Sequence, residues 1–152
     1  DARLAGALMS IQSVKGVQIG DAYQQAASLG SNAQDEIIGL SSGHIERASN
    51  HAGGIEGGIS NGSVLRVSAA LKPISTVPRA LRSVDLADGT AATALHQRSD
   101  TCAVVPAAVI AQAEVAMVLA DALLEKTGGD SLLEAKRNLA GYLEDVAERT
   151  NW

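Results

Sequence analysis

The stretch Asn50-His51-Ala52-Gly53-Gly54-Ile55-Glu56-Gly57-Gly58-Ile59-Ser60-Asn61-Gly62 runs almost directly into Val64-Leu65-Arg66-Val67-Ser68-Ala69-Ala70-Leu71, which Lys72-Pro73 closes. In the second part Leu65, Val67, Ala69 and Leu71 alternate with Val64, Arg66, Ser68 and Ala70, the period of two of a strand with one apolar and one mixed face. The first part is different. Seven of the fifteen glycines lie between Gly39 and Gly62, with Ser41, Ser42, Ser49, Asn50, Ser60 and Asn61 among them, and a long loop with little regular structure is predicted there. Ile45, Ile55 and Ile59 are spaced through it and need somewhere to dock, which argues against disorder. Glycine permits close backbone approach and positive φ, so the segment can cradle a ligand or simply form a flexible surface loop. No Gly-Lys-Ser/Thr follows, and the glycines precede a strand where a dinucleotide fingerprint follows one, so neither common nucleotide motif is present.

Upstream, Leu4, Ala7, Leu8, Ile11 and Val14 share one helical stripe and predict an amphipathic helix from about Ala2 to Val14. Gly16 is expected to end it, Val17 and Ile19 to form a short strand before a Gly20-Asp21 turn, and residues 22–29 to form a weak helix. Downstream, residues 81–87 read as a strand, Asp88-Gly89 as a turn and 91–97 as a third extended element. From about Pro106 to Lys126 the chain is alanine-rich and apolar around its whole circumference, which predicts a helix buried on several sides. Gly128-Gly129 stops it. Ser131 and Glu134 then form a capping box that opens a last helix with Leu132, Leu139, Tyr142, Leu143 and Val146 on its apolar side. Together these strands and helices are read as an α+β chain.

The 152 residues suffice for one domain. Aromatic residues are limited to Tyr23, Tyr142 and Trp152, too few for base-stacking platforms, and the net charge of −5 argues against nucleic-acid or membrane-surface binding. The charge is uneven: residues 47–98 carry six basic and three acidic groups, whereas the flanking parts are acidic. The basic middle is either a solvated loop or a holder of a small anion. A lone Cys102 excludes an intrachain disulfide and fits a reducing, cytoplasmic setting. The apolar run from Cys102 to Leu124 is interrupted by Pro106, Gln112, Glu114 and Asp121, against a membrane span. The chain opens on Asp1, goes straight into a helical pattern without a signal-peptide profile, and is expected to be a piece of a longer one.

Few residues stand out chemically. Lys72-Pro73-Ile74-Ser75-Thr76 sets a cation and two hydroxyls on a proline-stiffened turn with free N–H groups, a set that holds phosphate when it is not merely solvated. Arg98-Ser99-Asp100 offers a bidentate guanidinium and a carboxylate base, or a surface ion pair. His44, His51 and His96 lack metal-ligand spacing, and Cys102 lacks a base to activate it.

In combination these segments are far more specific. Leu8-Met9-Ser10-Ile11-Gln12, Lys15-Gly16-Val17, Ile19-Gly20-Asp21, Arg47-Ala48-Ser49-Asn50 with the glycines through Gly62, Lys72 to Thr76, and Arg98-Ser99-Asp100 resemble the chorismate synthase family in order and spacing. The resemblance covers essentially the whole chain and is strongest to the C-terminal part of actinobacterial members. It implies a β-α-β sandwich with helices between antiparallel sheets, residues 1–152 being the C-terminal portion of one domain. It also implies a cytoplasmic homotetramer that eliminates phosphate and a C6 hydrogen from 5-enolpyruvylshikimate 3-phosphate, giving chorismate in the shikimate pathway. Reduced FMN is required without net redox change, NADPH being a candidate reductant.

By motif, the resemblance assigns Gln12, Ser13, Gly57, Lys72, Pro73, Ile74, Ser75, Thr76 and Arg98 to FMN, Arg98 also to the substrate, and Asp100 to the flavin N5 proton; no metal is implied. Ser13 stands where alanine is usual, Ala22-Tyr23 replaces Gly-Phe, and Pro106 is shifted by one residue. The family's two catalytic histidines belong to a region upstream of this segment, so the chain alone is expected to have no turnover. The alternative is a non-catalytic module that binds flavin or serves oligomer contacts.

Overall fold

A computed structural model describes residues 1–41, 44–96 and 102–150. In chain order the elements are α1 (Ala2–Met9), β1 (Val14–Ile19), α2 (Ala22–Ala26), α3 (Gly30–Ala33), β2 (Ile37–Ser41), β3 (His44–Arg47), β4 (Ile55–Glu56), β5 (Ile59–Ser60), β6 (Val67–Leu71), β7 (Arg82–Val84), β8 (Ala91–Thr93), α4 (Val104–Thr127) and α5 (Leu132–Arg149). The fold is α+β. Four two-stranded antiparallel sheets pair β1 with β6, β2 with β3, β4 with β5 and β7 with β8.

The predicted stripe buries Leu4 and Leu8, but α1 ends at Met9, before the stripe reaches Val14. Ser10 Oγ donates back to the Ala7 carbonyl at 2.7 Å, and Ser13 takes φ +72°, a conformation that breaks any helix. Val14 instead opens β1 and is buried there, and Gly16, expected as a helix stop, lies inside the strand. The register runs from Val14 opposite Leu71 to Ile19 opposite Val67, with Lys15 bulging between Val14 and Gly16.

The alternating face of β6 is laid as its sequence predicts. Val67, Ala69 and Leu71 share an apolar seam with Leu8, Ala107 and Ala111, joining the β1–β6 layer to α1 and α4. Arg3 reaches from α1 to Glu125 at 2.6 Å and Asp121 at 3.7 Å on α4. Ser131 Oγ accepts the Glu134 N–H at 3.2 Å, as the capping box predicts, while Glu134 Oε2 accepts from the Asp130 N–H rather than from Ser131. Lys126 lies 4.0 Å over the Tyr142 ring and fastens α5 to α4.

Three expectations are corrected. The region between Gly39 and Gly62 is largely two hairpins, β2–β3 and β4–β5, not an irregular loop. Gly57 and Gly58 have φ +58° and +79°, the pair of positive values that a two-residue hairpin turn needs, and they make the second hairpin possible. Second, α4 is covered on one side only: Ala107 is its buried residue, while Val105 is 73% and Val109 65% exposed. Its sequence is apolar all round, but among the described residues it packs on α1 and α5 and lines a seam with β6. Of the isoleucines expected to dock, Ile59 is likewise 72% exposed. Third, α4 with a mean hydropathy of 1.8 is long and apolar enough to cross a membrane, contrary to the sequence expectation. In this structure Asp121 and Glu125 on it pair with Arg3, which uses the helix as a packing surface.

Candidate functional site

The β1–β6 ladder fixes where the motif residues go. At its Val14/Leu71 end the Lys72 N–H donates to the Ser13 carbonyl at 2.8 Å, so Gln12-Ser13 and Lys72-Pro73 lie side by side although about sixty residues separate them. Ser13 alone among the described non-glycine residues has positive φ, and the Lys15 bulge sits next to it. Backbone strain beside a bulge is typical of a segment held for binding. Lys72, Pro73 and Ser75 are exposed, and the N–H groups of Ile74, Ser75 and Thr76 bond to no described residue. One ammonium, two hydroxyls and unengaged N–H groups on one turn have the donor chemistry that a phosphate requires. His96 Nδ1 lies 3.2 Å from the Val77 carbonyl, bringing the chain back beside this turn two residues before Arg98. Arg98 and Asp100 themselves lie outside the described residues.

Gly57 is not brought to this cluster. It lines an open cleft of about 830 Å³ with Gln18, Ile19, Asp35, Ala52 and Glu56, at the other end of the ladder. A side chain on Gly57 or Gly58 would meet nothing within 4 Å, so the turn presents bare backbone to the cleft. Neighbouring glycines are the opposite case. A Cβ on Gly20 would come within 2.0 Å of the His51 carbonyl oxygen, and one on Gly53 within 2.3 Å of the Gly20 nitrogen. These two glycines let the β1 turn and the segment before β4 touch backbone to backbone.

Polar groups then lock that contact. Asp35 Oδ1 accepts from Ser49 Oγ at 2.6 Å and the His51 N–H at 2.7 Å, and Oδ2 accepts from the Ala52 N–H at 2.9 Å. Burial pushes the Asp35 pKa up, but the Ser49 hydroxyl and the Ala52 and His51 N–H groups hold it below the usual carboxylate value. Asn50 takes the Gly54 N–H on its oxygen at 2.9 Å and donates to the Val64 carbonyl at 2.8 Å. Asp21 pairs with His51 Nδ1 at 2.9 Å and Arg66 at 3.0 Å, and the bonds from His51 and then Arg66 lower its pKa. Arg47 and Asn61 both donate to Glu56 Oε2, at 2.8 and 2.7 Å, which ties β3 to the β4–β5 hairpin. From the sequence Asp21 is read as part of a turn, Glu56 as part of the glycine segment and Arg66 as part of a strand, none with a site role, and Asp35 carries no reading at all. Asn50, three residues before the Gly53-Gly54 pair, carried a readable turn signal, whereas Asp35, fourteen residues from Ser49, carried none.

Comparison with known proteins bears on what this arrangement serves. The sequence model described as chorismate synthase matches residues 1–124. The chain belongs to the chorismate synthase family. The chorismate synthase of Beutenbergia cavernae is 61% identical over 149 residues, 98% of this chain and 38% of the relative. That of Corynebacterium diphtheriae is 62% identical over 149 residues, 98% and 37% respectively. A crystal structure of a chorismate synthase matches with a TM-score of 0.77 at 41% identity, over 97% of this chain and 37% of that one. The chain thus spans less than two fifths of the length of the chorismate synthases it matches.

Proposed function

We propose that this chain is the C-terminal portion of a chorismate synthase, an enzyme that converts 5-enolpyruvylshikimate 3-phosphate to chorismate and phosphate. The observation that carries the reading is the match to chorismate synthases at about three identical residues in five over nearly the whole chain. In the reaction the C3–O bond to phosphate and a C6–H bond break, a new double bond forms, and no net oxidation occurs. Reduced FMN, when bound, lends electron density to the breaking C–O bond.

The residues of this chain supply binding and orientation. Lys72, Ser75, Thr76 and the N–H groups of Ile74 to Thr76 hold an anionic phosphate, with Pro73 stiffening their turn. Gln12 and Ser13, fixed next to Lys72 by the Ser13 carbonyl bond, form the adjoining wall. Gly57 offers bare backbone on the cleft side. Arg98 binds flavin and substrate, and Asp100 holds the proton at flavin N5, both by family resemblance. The basic character of residues 47–98 suits a polyanionic substrate and a flavin phosphate. The same resemblance supports a cytoplasmic homotetramer and NADPH as the source of flavin electrons.

The complete enzyme carrying this segment should form chorismate from 5-enolpyruvylshikimate 3-phosphate in the presence of reduced FMN, while the 152-residue chain alone should not turn over. Absence of chorismate from the complete enzyme overturns the reading. Turnover by the isolated chain overturns the division of the active site between this segment and the rest.

A further inference from the structure

We propose that Asp35 is a positioning residue for the Gly57-Gly58 turn, setting where that turn stands in the flavin site. The inference rests on the proposed function and on the family resemblance that assigns Gly57 to FMN, at the other end of the β1–β6 ladder from Lys72. Asp35 lies between α3 and β2 and contributes to the same cleft as Gly57. Its carboxylate takes three donors from one short piece of chain: the Ser49 hydroxyl and the N–H groups of His51 and Ala52, all within 2.9 Å. Two successive backbone N–H groups aimed at one carboxylate fix the orientation of their peptide planes, and charge-assisted bonds of this length are the strong ones.

The path from there to the turn is short and stiff. The Gly53 N–H donates to the Asn50 carbonyl, the Gly53 carbonyl accepts from the Arg66 N–H, and the Gly54 N–H donates to Asn50 Oδ1. Gly54 accepts from the Asn61 N–H on the far side of the β4–β5 hairpin, so the base of the hairpin is bonded on both strands. Between this base and the turn lie only Ile55 and Glu56. The space a side chain would take at Gly57 and Gly58 is open, so the turn is held through its neighbours: through Glu56, which accepts from Arg47 and Asn61, and through the root of the hairpin. The carboxylate at that root is Asp35. A tilt of the His51 and Ala52 peptides moves Gly57 relative to Gln18 and Ile19 across the cleft.

The test is Asp35→Asn in the complete enzyme, read as FMN affinity, the absorbance spectrum of bound oxidised FMN, and the apparent KM for reduced FMN against kcat. The amide keeps one acceptor oxygen, loses the charge and the second acceptor, and turns an N–H donor toward at least one of the three. We expect FMN affinity to fall about tenfold or more, with a changed flavin spectrum and kcat largely recovered at saturating FMN. Unchanged affinity and spectrum overturn the proposal, even with a lowered melting temperature, because a purely structural role moves stability alone. Should Asp35→Asn not fold, Ser49→Ala removes one donor and keeps the carboxylate. It should weaken FMN binding by roughly threefold, and an unaltered affinity overturns the proposal as well. Gly57→Ala separates the two levels. An effect from Gly57→Ala without one from Asp35→Asn overturns the positioning role alone, whereas no effect from either overturns the placement of Gly57 at the flavin and the proposal with it.

Discussion

The segment between Gly20 and Arg66 and the helix α4 are both low in charge and rich in small residues, yet they are held in opposite ways. Around the glycines Asp21, Asp35, Asn50 and Glu56 each bind two or more groups, and Gly20 and Gly53 allow backbones to meet so closely that no side chain would fit. Along α4 there is abundant apolar surface and little to cover it, from Val105 and Val109 at one end to Leu124 at the other. Hydrogen bonds are directional and can complete a local structure within a short stretch of chain. Apolar burial needs area from many neighbours, and the described residues supply α4 with few. The first region is completed among the described residues, whereas α4 is left with apolar surface that they do not cover.

The largest expected effect is on the finished side. Gly53→Ala sets a methyl group within 2.3–2.9 Å of three backbone atoms at φ +64°, so the chain must separate at its most heavily bonded point. A loss of about 3–5 kcal/mol, or failure to fold, is expected from urea unfolding. Gly57→Ala, where φ is +58° but the space is open, should cost only about 1 kcal/mol. Similar losses for the two would contradict the distinction between a packed and a presented glycine. Next comes Leu8→Ala: Leu8 is 2% exposed at the seam of α1, β6 and α4, and about 3 kcal/mol should be lost.

A third effect is seen in acid. The Asp21 pKa is lowered by the bonds from His51 and Arg66. A carboxylate with a depressed folded-state pKa contributes stability that is complete above its unfolded value, about 3.9, and disappears as pH falls through the folded value. Asp21→Asn should therefore be less stable than the parent at pH 6, and the gap should narrow from about pH 4 downward. A gap that stays constant to pH 2 in chemical denaturation would show that Asp21 matters through shape and not charge.

Which parts of this were legible in the sequence follows from the same contrast. Strand β6, the capping box at Ser131 and the lengths of α4 and α5 follow from periods and local signals that a few residues carry. The end of α1 was missed because Ile11 and Val14 continue the apolar stripe, while a strained Ser13 and the start of β1 turn Val14 into the same core by another route. The β4–β5 hairpin was hidden among glycines, although Gly-Gly between Ile-Glu and Ile-Ser is a two-residue turn signal. In the site, proximity of Ser13 to Lys72 depends on strand pairing, and the grip of Asp35 on Ser49, His51 and Ala52 is a tertiary contact without a sequence pattern. The family motif contains Asp21, Ser49 and Asn50, whose bonds only the fold reveals, and it leaves out Asp35 altogether.

The smallest expected effect, on this chain, belongs to the bare face. Val109 is 65% exposed, so Val109→Ser removes little buried surface and should change the stability of the 152-residue chain by no more than about 0.5 kcal/mol. In the complete enzyme the same change should cost about 2 kcal/mol, because a fully covered valine contributes its whole transfer free energy and a buried hydroxyl needs a partner. The size of the difference between the two contexts measures how far α4 is covered. An equal, small cost in both would mean that this flank of α4 stays open to solvent in the full-length protein as well.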